Sequence, residues 1–356
     1  MSAGYAVSRC FESGCGGNDV RGVISGVSDA YGGRFGEMTQ TIYRGLMAVT
    51  VLALITVPIA AAAQPAVPVR TIGIVGHTQA IPFEEGLREL GWVEGKNVRF
   101  ERRVTTDIHT LAQFAAELVR IPVDVIFAGN APATRAAAEA TRAIPIITVS
   151  ADPVSTGVAS SLARPGANVT GFAITQLMGK RLEILFEAFP AARRVALLVN
   201  PTNPNTPAYR RETEIVAQTI GVKLLVFEVS VAERITNVVA AVAKARPDAF
   251  VVAGDPLFWV ARQQLLEQVA RHRLPTMWEQ LAFVEAGGLL AYGAYPGELY
   301  RRAATYADRI LKGTKPADLP IDQATKFELA VNLKAARALN VTIPPAVLLR
   351  ANHVVR

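Results

Sequence analysis

Pro122-Val-Asp-Val-Ile-Phe-Ala-Gly-Asn130 and Pro247-Asp-Ala-Phe-Val-Val-Ala-Gly-Asp255 are two versions of one pattern. Each is a short apolar run that opens with proline and stops at a small loop carrying an amide or an acid. An apolar run without polar alternation is what a parallel strand needs when both of its faces are covered. Other segments repeat around this pair in the same order. Arg70-Thr-Ile-Gly-Ile-Val75 is echoed by Arg194-Val-Ala-Leu-Leu-Val199, and Gly95-Lys-Asn-Val-Arg-Phe-Glu101 by Gly221-Val-Lys-Leu-Leu-Val-Phe-Glu228. Ile144-Pro-Ile-Ile147 returns as Leu274-Pro-Thr-Met277, and Asn168-Val-Thr-Gly171 stands where Leu290-Ala-Tyr-Gly293 stands later. The offsets are nearly constant: 124 for Ile72/Ala196, 124 for Asp124/Asp248, 130 for Pro145/Pro275 and 122 for Gly171/Gly293. Alanine-rich helical stretches separate the runs. The alternation predicts an α/β chain of two Rossmann-like lobes with parallel sheets, each too large to be a solenoid repeat.

Composition agrees with that size. The chain has 356 residues, of which 51% are apolar and 19% charged, enough for about two packed domains and too apolar for a disordered chain. The only cysteines are Cys10 and Cys15, which excludes a disulfide framework, a Cys-rich zinc site and an iron–sulfur cluster. His77, His109, His272 and His353 are never at metal-binding spacing, so neither metal nor cofactor is expected. The net charge is +7, but the basic residues are scattered, with Arg-Arg pairs as the densest clusters. No nucleic-acid partner follows from such a generic basic surface.

Residues 46–63, LMAVTVLALITVPIAAAA, carry no charge; Arg44 precedes them and Ala60–Ala63 end them at Gln64. A positive start, an apolar core and small residues at the end make residues 38–63 a cleaved signal peptide opening at Met38. A transmembrane anchor is the rival reading, disfavoured by Pro58 and the alanine run. No cysteine follows the apolar stretch, so a lipid anchor is not expected. Residues 1–37 are Gly-rich and without periodicity, and read as a disordered extension from a misplaced start. The mature chain then belongs in the periplasm, with no cysteine left.

Ligands of open parallel sheets bind beyond the C-terminal ends of the strands. The loops there are Gly76-His-Thr-Gln79, Gly129-Asn-Ala-Pro132, Ser150-Ala-Asp-Pro153, Asn200-Pro-Thr-Asn-Pro-Asn205, Gly254-Asp-Pro-Leu-Phe258 and Trp278-Glu-Gln280. Thr78, Asn130 and Asn203 suit helix caps as well as ligand contacts. Asp152-Pro153 and Asp255-Pro256 suit turn starts, with Asp255 the better partner for a ligand amine or hydroxyl. Trp259 and Trp278 are either core residues or stacking surfaces for a ring. Catalytic signatures are missing: no G-x-G-x-x-G follows the first strand, Gly179-Lys180-Arg181 lacks the upstream glycine of a P-loop, and there is no G-x-S-x-G. His77 is the one candidate acid–base residue.

Taken together, Phe83-Glu-Glu-Gly-Leu-Arg-Glu-Leu-Gly-Trp-Val-Glu-Gly-Lys-Asn-Val98, Ser150-Ala-Asp-Pro-Val154, Leu162-Ala-Arg-Pro-Gly-Ala-Asn-Val-Thr-Gly171, Lys180-Arg-Leu-Glu183, Val199-Asn-Pro-Thr-Asn-Pro-Asn205, Gly254-Asp-Pro-Leu-Phe258, Glu285-Ala-Gly-Gly288, Leu311-Lys-Gly-Thr-Lys-Pro-Ala-Asp-Leu-Pro320 and Thr325-Lys-Phe-Glu328 form an ordered set over about residues 66–350. The set resembles the ABC-transporter substrate-binding proteins of the type I periplasmic-binding fold, in a branch with tryptophan-binding members. The resemblance implies two lobes joined by a hinge and closing over a small molecule, an amino acid favoured, with delivery to a permease and ATPase at the inner membrane. It implies a binder without catalysis, with ligand contacts at Thr78, Asn130, Ser150, Asp152, Asn200, Asn203 and Asp255; Trp259 and Trp278 are the candidate aromatic contacts, and a monomer is the default for a binder that opens and closes. The expected lobes are 66–172 plus about 289–315, and 173–288 plus about 316–350. A sensory binding protein of the same fold and a secreted α/β enzyme using His77 stay open as alternatives.

Overall fold

The computed structural model describes residues 68–76, 80–105, 107–174 and 177–356. The expectations for residues 1–63, and for His77 and Thr78, lie outside the described residues.

Five strands build most of the first sheet: β1 (Arg70–Gly76), β2 (Val98–Val104), β3 (Val125–Ala128), β4 (Ile146–Ala151) and β5 (Val169–Ile174). All their pairings are parallel, in the order β2-β1-β3-β4-β5. The second sheet repeats this with β6 (Arg194–Val199), β7 (Lys223–Glu228), β8 (Ala249–Val252), β9 (Thr276–Trp278) and β10 (Leu290–Gly293), in the order β7-β6-β8-β9-β10. The duplicated pattern in the sequence is therefore a duplicated topology. The two closing strands share one constraint. A Cβ on Gly171 would stand 2.1 Å from the Thr148 carbonyl oxygen, and one on Gly293 would stand 2.0 Å from that of Glu279. Gly171 also has φ +129°, so a side chain there is excluded twice over.

Helices cover both faces of each sheet, which is why the central strands are apolar, whereas the edge strand β2 alternates apolar and charged residues. On the first sheet, α1 (Ile81–Glu89) packs Phe83 and Leu87 against Phe127, while α2 (Ile108–Arg120) and α3 (Ala131–Ala140) bring Leu111, Leu118 and Ala137 to the other face. On the second sheet, α4 (Met178–Ala188) and α5 (Thr206–Thr219) cover one face. The other face takes α6 (Ile235–Lys244), α7 (Pro256–Val260), α8 (Arg262–Arg271) and α9 (Leu281–Glu285).

The tail corrects the expected lobe boundaries. Leu290–Gly293 pairs with β9, Leu290 opposite Met277, so this segment belongs to the second lobe and not the first. The chain then crosses, and α10 (Pro296–Leu311) packs on α1 and the first sheet through Leu299, Tyr300, Ala303 and Ala307. Residues 316–323 stay with the first lobe, where β11 (Ile321–Gln323) pairs parallel with β5 and the Thr170 hydroxyl donates to the Leu319 carbonyl at 2.9 Å. A further crossing brings β12 (Glu328–Asn332) antiparallel onto β10. After α11 (Leu333–Leu339) and α12 (Pro345–Arg350), β13 (His353–Val355) ends the second sheet. Three crossings, between β5 and α4, near residues 294–295 and near 324–327, join the lobes.

Candidate functional site

The C-terminal strand ends of both sheets face one half-open cavity of about 90 Å³. From the first lobe, Asn130 caps α3, its Oδ1 accepting from the Ala133 N–H at 2.9 Å, and it also lines the cavity. Capping and cleft position coincide in this residue. Ser150, 3% exposed at the end of β4, accepts from the Thr148 hydroxyl at 2.8 Å, which leaves its own O–H for a partner in the cleft. The α3 N-terminus adds the positive end of a helix dipole to the same wall. Tyr300 closes this side from α10, its hydroxyl donating to the Gly129 carbonyl at 2.8 Å.

The second lobe supplies the charges. Asp255 is buried and capped into place: Oδ1 accepts from the Leu257 N–H at 2.8 Å and from Asn200 Nδ2 at 3.2 Å, and Oδ2 accepts from Asn203 Nδ2 at 2.7 Å. Burial pushes its carboxyl from an ordinary 3.8 up to about 6, against the pull of those three donors. Asn200 does not reach the cavity; it holds Asp255 and the Thr202 turn. Asn203 lines the cavity and, through Oδ1, takes the Asn205 N–H at 2.9 Å. Asp152 is placed elsewhere, in a side groove with Pro153, Arg211 and Gln323, where Oδ1 accepts from the Ser155 N–H in an Asx turn. The turn reading of Asp152-Pro153 is the one the geometry takes.

The two tryptophans separate. Trp278 is fully buried, stacked on Phe283 with centroids 4.6 Å apart, and its Nε1–H donates to Thr276 Oγ1 at 2.9 Å. It is a core residue, because β9 is covered on both faces, and the expectation of a cleft contact is corrected. Trp259 lines the cavity from α7, edge-on to Phe283 and under the Arg262 guanidinium.

Besides Tyr300, four further polar cleft residues were not among those singled out from the sequence. Arg181, 6% exposed on α4, donates from Nε to the Tyr292 carbonyl at 2.7 Å, and burial lowers its pKa. Glu279 follows β9; burial pushes its carboxyl up while the Arg181 charge and a 3.1 Å hydrogen bond from Gln280 Nε2 pull it down. Its Oε2 lies 1.8 Å from where a Gly254 Cβ would stand, so the glycine makes room for the carboxylate. Tyr209 on α5 completes the wall, its hydroxyl held protonated by burial. Asn205 is 2% exposed, and its Oδ1 is buried without a hydrogen-bond partner. Arg181 lay inside the quoted Lys180–Glu183 segment and Glu279 inside the Trp278–Gln280 loop, but nothing in their spacing marked them.

Two sheets of one topology, three crossings and a polar cavity walled by both lobes define a hinged two-lobed solute-binding protein. Residues 77–355 match the family described as ABC transporter substrate binding protein, and the chain belongs to it. A tyrosine-binding protein of Clostridioides difficile (strain R20291) is 25% identical over 262 residues, 73% of this chain and 75% of that one. Among solved structures, an ABC domain in complex with L-Trp from Streptococcus pneumoniae aligns with TM-score 0.76 at 24% identity, covering 81% of this chain and 100% of the other. A conserved domain protein from Vibrio cholerae aligns with TM-score 0.76 at 24% identity, covering 80% and 99%. Among the described residues, no helix is long and apolar enough to cross a membrane, and no group of three His, Cys, Asp or Glu side chains is placed to hold a metal ion.

Proposed function

We propose that this chain captures an α-amino acid between its lobes outside the cytoplasm and hands it to a membrane permease driven by an ATPase, without chemical turnover. The partition of charge across the cavity carries this reading. The first-lobe wall offers the α3 N-terminus and Ser150, which suit a carboxylate. The second-lobe wall offers Glu279, the Asn205 acceptor and Asp255, which suit an ammonium, while Arg181 on the same wall offsets one of the two carboxylates. A zwitterion held this way touches both lobes, and only a ligand that does so favours the closed state. Since both Asp255 oxygens already accept internal hydrogen bonds, Glu279 is the nearer match for the ammonium. The relatives that bind tyrosine and L-Trp support an amino acid. Residues 38–63 fit a cleaved signal peptide delivering the mature chain to the periplasm.

The test is a thermal-shift screen of the purified protein against amino acids, sugars, nucleosides and organic acids. A ligand at a hundred times its Kd adds about 2.7 kcal/mol of stability. The expected hits are amino acids with both charged groups free. A hit confined to sugars or nucleosides refutes the reading.

A further inference from the structure

Arg181 stands where the cleft meets the hinge. It lies one turn into α4, the helix that follows the β5–α4 crossing, and it is 6% exposed. Its Nε donates to the Tyr292 carbonyl at 2.7 Å, at the end of β10, where the chain leaves for the crossing near 294–295. Its Nη1 donates to Met178 Sδ at 3.3 Å, on the first turn of α4. One guanidinium therefore braces the second-lobe ends of two of the three crossings. Gly293 permits the approach, since a Cβ there would lie 3.4 Å from Arg181 Nη2.

The bonding around this brace is incomplete. An arginine has five N–H donors, and a buried guanidinium is costly unless carboxylates pair with it. The charges of Glu279 and Glu212 both act on Arg181, yet it hydrogen-bonds to neither. Glu212 of α5 accepts from the Gly179 N–H through Oε1 at 3.0 Å, and so holds the start of α4. Its Oε2 is buried without a partner. A cation with unused donors and a carboxylate oxygen with none offer a second pairing inside the same lobe. Discrete alternatives of this kind turn a small change at a site into a rotation of domains.

We infer that Arg181 is a positioning residue for closure. In the empty cleft it answers the Glu279 charge and braces the two crossings. A cation arriving at Glu279 turns it from the Tyr292 carbonyl to Glu212 Oε2, which releases the brace and lets the lobes close. That the cation is a ligand ammonium rests on the amino-acid reading above; the brace in the empty protein does not.

Double electron–electron resonance between spin labels reads the opening angle. The labels go on Ala112→Cys of α2 and Ala240→Cys of α6, exposed helical sites on the two lobes, in a chain with Cys10 and Cys15 changed to serine. In the ligand-free protein, Arg181→Met is expected at least to double the width of the wild-type distance distribution. Arg181→Lys keeps the buried charge but not the fork, so it broadens the distribution in the same way and reads the brace should Arg181→Met not fold. Glu212→Gln is expected to leave the ligand-free distribution unchanged and at least to halve the closed population at saturating L-tyrosine or L-tryptophan. Arg181 variants that lower Tm but keep the wild-type distribution make Arg181 a mere packing residue and overturn the brace. Wild-type closing in Glu212→Gln overturns the turn to Glu212. Failure of both amino acids to close the wild-type protein counts against the amino-acid reading, and the ligand-free comparison then upholds or overturns the brace by itself.

Discussion

Glu279→Gln is the sharpest perturbation of the proposed site. The substitution keeps the shape of the side chain and removes its charge. Glu279 sits against Gly254 with Gln280 as its hydrogen-bonded neighbour, and burial already raises its pKa. An ammonium placed at Oε2 makes a charge-assisted hydrogen bond where little water competes. Such bonds contribute about 1.5–3 kcal/mol net. At the upper half of that range, the loss amounts to roughly 45- to 160-fold in Kd. Stability of the ligand-free protein should move the other way. A carboxyl whose folded pKa is raised is less at ease ionised in the fold than in water, so the neutral amide is expected to hold or raise Tm. Calorimetry against L-tyrosine or L-tryptophan, paired with thermal unfolding of the ligand-free variant, reads both. A Kd change under threefold refutes the counter-charge role, and an affinity loss matched by an equal loss of ligand-free stability shows a structural role instead.

Asp255 predicts a pH signature: with a folded pKa of about 6 and an ordinary value of 3.8, the native state keeps a proton that the unfolded state releases, so stability falls as pH rises between about 4 and 6. Urea titrations across that window should show wild type losing up to about 3 kcal/mol relative to Asp255→Asn, while affinity for an ammonium-bearing ligand rises. Trp278→Ala should cost about 3–5 kcal/mol in chemical denaturation as a core truncation, with Kd of the folded fraction unchanged; a large Kd change would return Trp278 to the cleft. Gly171→Ala, facing the Thr148 carbonyl at 2.1 Å with φ +129°, should destabilise by about 2 kcal/mol or more, whereas Gly221→Ala at φ +71° with open space around it should cost only its backbone strain, on the order of 1 kcal/mol.

The fold was legible because parallel strands covered on both faces announce themselves as apolar runs, and a duplicated topology announces itself twice. Strand ends were legible for the same reason, which is why Asn130, Ser150, Asn203 and Asp255 are in the cavity wall. The tail was not: β10 and β11 are four and three residues long, and such lengths carry no periodicity to say which sheet claims them. The helix-borne residues were also hidden. Arg181, Tyr209 and Tyr300 reach the cleft from α4, α5 and α10, and a polar residue on a helix reads as surface until the neighbouring lobe is known. Trp278 and Trp259 look alike in sequence; only the burial of a three-residue strand against Phe283 tells them apart.

The wiring of the tail also sets the order in which this chain can fold. One face of the first sheet, with Phe83, Phe127 and Phe172, is completed by Tyr300, Ala303 and Tyr306 of α10, and its edge by β11. A growing chain released to residue 174 therefore has every strand from β1 to β5 and an apolar face covered by α1 alone. Contacts this distant in sequence form slowly, because long loops must close before they are rewarded. The first lobe waits on residues that leave the ribosome after the whole of the second lobe's parallel sheet. Under the export proposed above, such a delay would keep the polypeptide open during its passage across the membrane.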